Sequence, residues 1–322
     1  MVEKKIMFFN KSMIRNFHAG FFVFWFFFFT FALLFPKVGQ GSQPSSTIDA
    51  KYPGLVSGIL GAAELERMNE EILLSTDDVR IKKAELLEIV RKQEPKLRRQ
   101  LEKNLLFILE QEATRRILLI EAKKMGISTS GLNEDQAIQE LFERKSFEAV
   151  VSEEEAAIFY KKNKETMGGA SFDQVKEGLH QYLLQEKKQR SIASYIASLS
   201  DSIHIRINNE WVKTQSQIAM DNSVDKARHS GRPTMVEFGA TGCVPCDMMQ
   251  PILEKLRKTY TGKLNVIFVH VGEDQILAAR YGIRSIPVQV FFDDRGKEVF
   301  RHVGFFPQTE VTKQLVQMGV KK

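Results

Sequence analysis

The chain has 322 residues, 43% of them hydrophobic and 27% charged, with a formal net charge of +6. This length and composition exclude a disordered chain and suit two ordinary domains, each able to bury a core. Basic and acidic residues are interspersed rather than clustered, which leaves no footprint for nucleic acid.

Lys4, Lys5, Lys11 and Arg15 lead into FFVFWFFFFTFALLF, Phe21 to Phe35, an uncharged run that stops at Pro36. A basic segment followed by an apolar one is the pattern of an export signal. As a helix the run spans roughly 22 Å, short of the roughly 30 Å hydrocarbon core of a bilayer. Residues 1–41 therefore read either as a signal peptide, cut after the small residues Gly39 and Gly41, or as an uncleaved anchor with its basic end inside. Both readings place the body outside the cytoplasm, in the periplasm. A polar stretch over 42–59 reads as a linker.

From residue 60 to 208 the pattern is helical. Pro95 fits the first turn of a helix beginning near Lys96, with Leu97, Leu101, Leu105, Ile108 and Ile117 on one face and Gly126 placed to end it. VSEEE and ASFDQ offer capping boxes, Ser152 with Glu155 and Ser171 with Gln174, which predict helix starts at Glu153 and Phe172. No ligand pair, phosphate loop or nucleophile constellation is legible here, so the region reads as a scaffold. IHIRIN, Ile203 to Asn208, alternates like a short strand, and 209–217 reads as a polar joint.

From residue 218 strands and helices alternate. PTMVEF, LNVIFVHV, PVQVFFD and EVFRHVG read as strands, and CDMMQPILEKLRKTY, DQILAARYG and PQTEVTKQLVQM as helices. The two cysteines of the chain, Cys243 and Cys246, fall where the first strand gives way to a helix. Free backbone N–H groups and the helix dipole stabilise an anion there, which gives Cys243 thiolate character. A second thiol one turn on can resolve a mixed disulfide by forming Cys243–Cys246. A structural staple is the poorer reading, because so short a loop constrains the unfolded chain little. A zinc site would need two more ligands, and His229, His270 and His302 stand in no paired spacing, so no metal and no cofactor is expected.

The stretches VEFGATGCVPCDMMQPILEKL and YGIRSIPVQVFFDDRGKEVFRHVGF resemble the thioredoxin family. That resemblance implies an α/β thioredoxin fold over 218–322 and a thiol–disulfide oxidoreductase acting on protein substrates with disulfides or thiols. It also implies roles. Cys243 is the nucleophile and Cys246 the resolving thiol, Pro287 is the cis proline facing the disulfide, and Ile286 offers its backbone to a docking chain. Glu237 stands at the family's buried acid, which helps to move the resolving thiol's proton; an exposed strand-end Glu is the alternative. Pro251 falls at the family's helix kink and Gly304 near the last strand. Three positions depart from the family: Gly239 and Gly242 replace aromatic residues, and Phe268 stands where many members carry Lys. Val244-Pro245 carries no His of the kind that strongly oxidising relatives use, which leans toward a reductase or isomerase rather than an oxidase. A single site of this type cannot recycle itself, so a membrane electron donor or acceptor protein is implied as a partner.

A second resemblance lies upstream. RRILLIEAKKMGI, VSEEEAAIFYKKNKE and SFDQVKEGLHQYLLQEKKQRSIASYIASL resemble the helical chaperone domain of SurA-type and PpiC-type periplasmic prolyl isomerases, with only TMGGA where those proteins insert their parvulin module. It implies an all-α SurA-like domain over 60–208 without isomerase activity, which either binds clients or serves as a spacer or a homodimer contact. The rival function is a non-catalytic chaperone or adaptor that uses the thioredoxin fold for docking. Both thiols being present favours catalysis.

Overall fold

The computed structural model describes residues 47–129, 134–167 and 169–321. The export segment read over 1–41 lies outside the described residues, among which no helix is long and apolar enough to cross a membrane. The first half contains α1 (Ile48–Lys51), strands β1 (Glu64–Glu66), β2 (Ile72–Ser75) and β3 (Arg80–Lys82), and helices α2 (Lys83–Arg91), α3 (Pro95–Glu102), α4 (Leu105–Lys124), α5 (Glu134–Lys145), α6 (Glu153–Asn163) and α7 (Phe172–Ser202). It ends with β4 (Arg206–Asn208) and α8 (Asn209–Ala219).

The half is helix-rich, yet it is not all-α. Its short strands form a four-stranded sheet in the order β1-β4-β2-β3, with β1 and β4 parallel. Strands of three or four residues are too short to show an alternating pattern, and β4 alone was legible.

Local chemistry explains the boundaries. At both capping boxes the partners meet: Ser152 Oγ accepts the Glu155 N–H at 3.1 Å, and Gln174 Oε1 accepts the Ser171 N–H at 2.8 Å. The helices start at Glu153 and Phe172. The helix expected to run from Lys96 to Gly126 is instead two helices. Asn104 breaks it by turning its side-chain amide back to the Gln100 carbonyl at 2.8 Å, which satisfies an end-of-helix acceptor and allows the chain to redirect.

Neither expected linker is one where it is described. Ile48, Leu55 and Ile59, within 42–59, are buried in the core of the first half. Residues 209–217 lie in α8, whose Val212 is fully buried and whose first turn is capped by Asn208 Oδ1 accepting the Trp211 N–H at 3.1 Å. The polar letters of NNEWVKTQSQ divide between a cap, an outward face with Glu210, Lys213, Thr214 and Gln217, and the buried pair Gln215 and Ser216.

The second half adds α9 (Ser223–Arg228), β5 (Thr234–Gly239), α10 (Val244–Thr259), β6 (Asn265–His270), α11 (Gln275–Arg280), β7 (Val288–Phe292), β8 (Glu298–Val303) and α12 (Gln308–Gln317). Its sheet order is β6-β5-β7-β8, with β5 and β6 parallel and the other pairs antiparallel. Alternation along β5 sorts its side chains. Met235 joins Met249, Leu253 and Leu256 of α10 in one core, while Val236 and Phe238 join Leu277, Ala278 and Tyr281 in another.

The halves dock through buried chemistry. Ile276 of α11 is buried in the core of the first half. Gln100 of α3 donates to the Glu273 carbonyl at 2.7 Å and accepts the Ile276 N–H at 3.2 Å, which caps α11 from the other domain. Asp225, 1% exposed, accepts the Tyr281 hydroxyl at 2.7 Å and guanidinium N–H groups of Arg228 and Arg280 at 3.3 and 3.2 Å. Arg280 also donates to the Ala219 carbonyl at the end of α8, at 2.8 Å.

Two predictions follow from this packing. Asp225→Ala strands two buried guanidinium groups without their anion and is expected to lower stability by about 3–5 kcal/mol in urea unfolding. The second concerns Glu110, 2% exposed, which accepts the Gly58 and Leu60 N–H groups at 2.8 and 3.3 Å. Burial outweighs those bonds and raises its pKa from 4.5 to about 7. The folded state therefore holds a proton that the unfolded chain releases, so this contribution is complete below pH 4.5 and is lost as pH rises through about 7. Denaturation midpoints measured across that window should flatten in Glu110→Gln.

Candidate active site at the cysteine turn

The sequence Gly242-Cys243-Val244-Pro245-Cys246 crosses from β5 to α10. Gly242 takes left-handed backbone at φ 78°, and a Cβ there would touch nothing, so conformation rather than space calls for the glycine. Cys243 is the N-cap of α10, with the Cys246 N–H directed at its sulfur at 3.4 Å. Pro245 sits in the first turn, and Pro251 removes a backbone donor inside the helix, as its place in the sequence led one to expect.

Cys243 and Cys246 form a disulfide, with Cα atoms 5.2 Å apart. They are 4% and 1% exposed, whereas Val244 between them is 70% exposed. A bond sunk below an exposed apolar residue can be reached only by a partner that docks on the rim.

The loop before β7 enters that strand at Val288, opposite Phe238 of β5, the strand that leads into the cysteine turn. The Ile286–Pro287 peptide bond is cis. The Pro287 carbonyl accepts the Gly304 N–H at 2.8 Å, which ties the loop to the end of β8, and Gly304 is itself at φ 99°. Ile286 is half-buried and packs on the core below the sheet.

Glu237 is fully buried, not an exposed strand end. It lies two residues before Gly239 on β5 and so on the same face. A Cβ on Gly239 would lie 3.5 Å from Cys246 Sγ, so this is the face that meets the resolving cysteine. Across the sheet Glu237 pairs with Phe268 on one side and Gln289 on the other. Neither carboxylate oxygen completes a hydrogen bond of good geometry, and both polar atoms of the fully buried Gln289 are likewise unsatisfied. Desolvation thus dominates, the neighbouring Gln289 amide offsets it weakly, and the carboxyl pKa is pushed up to about 8.

Two departures from the family pattern prove complementary. The same Cβ on Gly239 would come within 3.0 Å of Phe268 Cε2. The missing side chain on one strand makes room for the ring on the next, and that ring replaces an ammonium group that would have stabilised the carboxylate.

One further residue escaped the sequence reading, and a second was weighed there only as a metal ligand. Gln289 was detectable only as the lone amide in the apolar strand PVQVFF. His270 ends β6, and its Nε2 accepts the Thr241 N–H at 3.2 Å, so it holds the turn two residues before Cys243.

Chemically, the arrangement offers a reducible disulfide at a helix N-terminus, a cis-proline loop before β7 and one buried acid. The thioredoxin-like domain family matches residues 220–319. Thioredoxin 1 of Nostoc sp. is 37% identical over 83 residues, covering 26% of this chain and 77% of that protein. The thioredoxin of Staphylococcus epidermidis is 38% identical over 95 residues, covering 30% and 89% respectively. The M-type chloroplastic thioredoxin of Pisum sativum is 31% identical over 113 residues, covering 35% and 65%. The chain belongs to the thioredoxin family through its C-terminal domain, and at the level of that family its chemistry is thiol–disulfide exchange.

The electrostatics give a pH test. A carboxylate able to take the Cys246 proton exists only above the raised pKa, so the rate of mixed-disulfide resolution should climb through pH about 8. Glu237→Gln should lose that limb in a stopped-flow profile, and Phe268→Lys, by placing a cation beside the carboxyl, should move it to lower pH.

Proposed function

We propose that the protein is an exported thiol–disulfide oxidoreductase, a reductase or isomerase rather than an oxidase, acting on cysteines of extracytoplasmic proteins. The observation that carries the reading is the Cys243–Cys246 disulfide, formed at the N-terminus of α10.

In the reducing direction the reduced Cys243 thiolate attacks one sulfur of a substrate disulfide. The substrate S–S bond breaks, its other sulfur leaves as a thiolate, and a mixed disulfide with Cys243 forms. Cys246, its proton taken up by Glu237, then attacks the Cys243 sulfur. The Cys243–Cys246 bond closes and the substrate departs with two electrons and, after protonation, two thiols. Ile286 and Pro287 align the substrate chain beside Cys243. A membrane electron donor must then reduce the disulfide again.

Export rests on the basic and apolar pattern of residues 1–41. A client-handling role for the SurA-like helical region is supported by large apolar side chains left exposed there, Phe147 at 85% and Val150 at 72%.

The deciding measurement is the redox equilibrium of the purified protein against glutathione, with Cys243→Ser as control. A reversible couple is expected, nearer the roughly −270 mV of thioredoxin than the roughly −120 mV of strong oxidants. No couple at all would overturn the enzyme and leave the adaptor.

A further inference from the structure

The long helix α7 is part of the first half and also touches the second. Its C-terminal part is anchored in the first core through Ile196 and Leu199. Farther toward its N-terminus it passes the thioredoxin domain, where Gln189 Oε1 accepts a guanidinium N–H of Arg284 at 2.7 Å. Arg284 lies two residues before Ile286, in the loop on which a substrate chain docks.

The face that makes this contact continues. Tyr182, Glu186 and Gln189 are spaced i, i+4 and i+7 and share one side of the helix. Glu186 is close enough to act electrostatically on both the Tyr182 hydroxyl and the Arg284 guanidinium. At the far end Tyr182 is 52% exposed, and its ring lies against Phe159 of α6 with centroids 5.6 Å apart. Ile158, beside Phe159 in the chain, is 47% exposed. An apolar seat thus stands at the end of a polar strip that begins at the docking loop.

Distance fixes what could span it. Tyr182 to Gln189 is about 10 Å along the helix, Arg284 to Ile286 adds up to about 7 Å, and the Gln189–Arg284 side-chain pair bridges a further gap of up to about 10 Å between helix and loop. An extended chain covers that sum in about five to eight residues.

We propose that this face of α7 extends the substrate groove, and that its occupant is the cysteine-bearing segment of an unfolded polypeptide with a large apolar side chain about five to eight residues from the cysteine, seated on Tyr182 and Phe159. The proposal rests on the oxidoreductase reading. An unfolded segment is required because pairing with the Ile286 backbone needs an extended chain, and the strip keeps it extended well past the disulfide.

The test uses the full-length protein, kept reduced by dithiothreitol as the electron source, and two peptides, each with one cysteine in mixed disulfide with glutathione. One carries Phe about five to eight residues to either side and the other carries Ser there. The Phe peptide should show a KM lower by about tenfold at similar kcat, since partial burial of one aromatic ring suffices for that factor. Tyr182→Ser should erase the difference and Tyr182→Phe should keep it. Equal KM values for the two peptides in the wild type, or a preference that survives Tyr182→Ser, would overturn the proposal. Oxidised glutathione alone, too small to reach Tyr182, separates the two levels of failure. If the wild type reduces it no faster than Cys243→Ser does, the oxidoreductase reading itself falls, and this inference with it.

Discussion

The joint between the halves depends on one buried carboxylate. Asp225 faces two guanidinium groups, and each of those reaches backbone in a different part of the molecule: Arg228 the turn before β8 at the Gly296 carbonyl, Arg280 the end of α8 at the Ala219 carbonyl. A charge cluster taken out of water is tolerated only when nearly every donor finds an acceptor, so its geometry tolerates little displacement. Gly54, from the start of the first half, has no side chain because one would strike the Arg228 guanidinium at 2.5 Å. The loop before β7 and the helical scaffold are thus held in one frame, in which Gln189 of α7 meets Arg284.

The interior of the cysteine site is arranged differently. Its acid has no cation and no well-formed hydrogen bond, so water exclusion rather than pairing sets its protonation. Phe268 and Gly239 act together in this. The ring fills the space beside Cys246 that an aromatic residue on β5 would otherwise take, and it does so from the strand whose side chain also borders Glu237.

Much of this was legible in the sequence, for reasons that differ by element. The strands of the second half are long enough to alternate, the capping boxes state their helix starts, and the spacing of Cys243, Cys246, Pro251, Pro287 and Gly304 carries a family pattern. The docking of the halves was not legible. Asp225 and Arg280 read as ordinary surface charges, and Gln100 acts on the Glu273 carbonyl and the Ile276 amide, groups that every residue possesses. The folded linkers were hidden because Ile48, the pair Leu55-Val56 and the pair Trp211-Val212 are short apolar islands in polar surroundings. The partner that buries them is distant in sequence.

The cap that Gln100 places on α11 joins residues 176 apart, which bears on the order of assembly. Contacts of such separation close late, and domains leaving the ribosome tend to fold from the N-terminus onward. The helical half is complete only when β4 and α8 have emerged, because β4 lies between β1 and β2. It then presents a finished socket, apolar where Ile276 enters and polar at Gln100, before α11 exists to fill it. The first domain is in this sense a template on which the catalytic domain finishes folding.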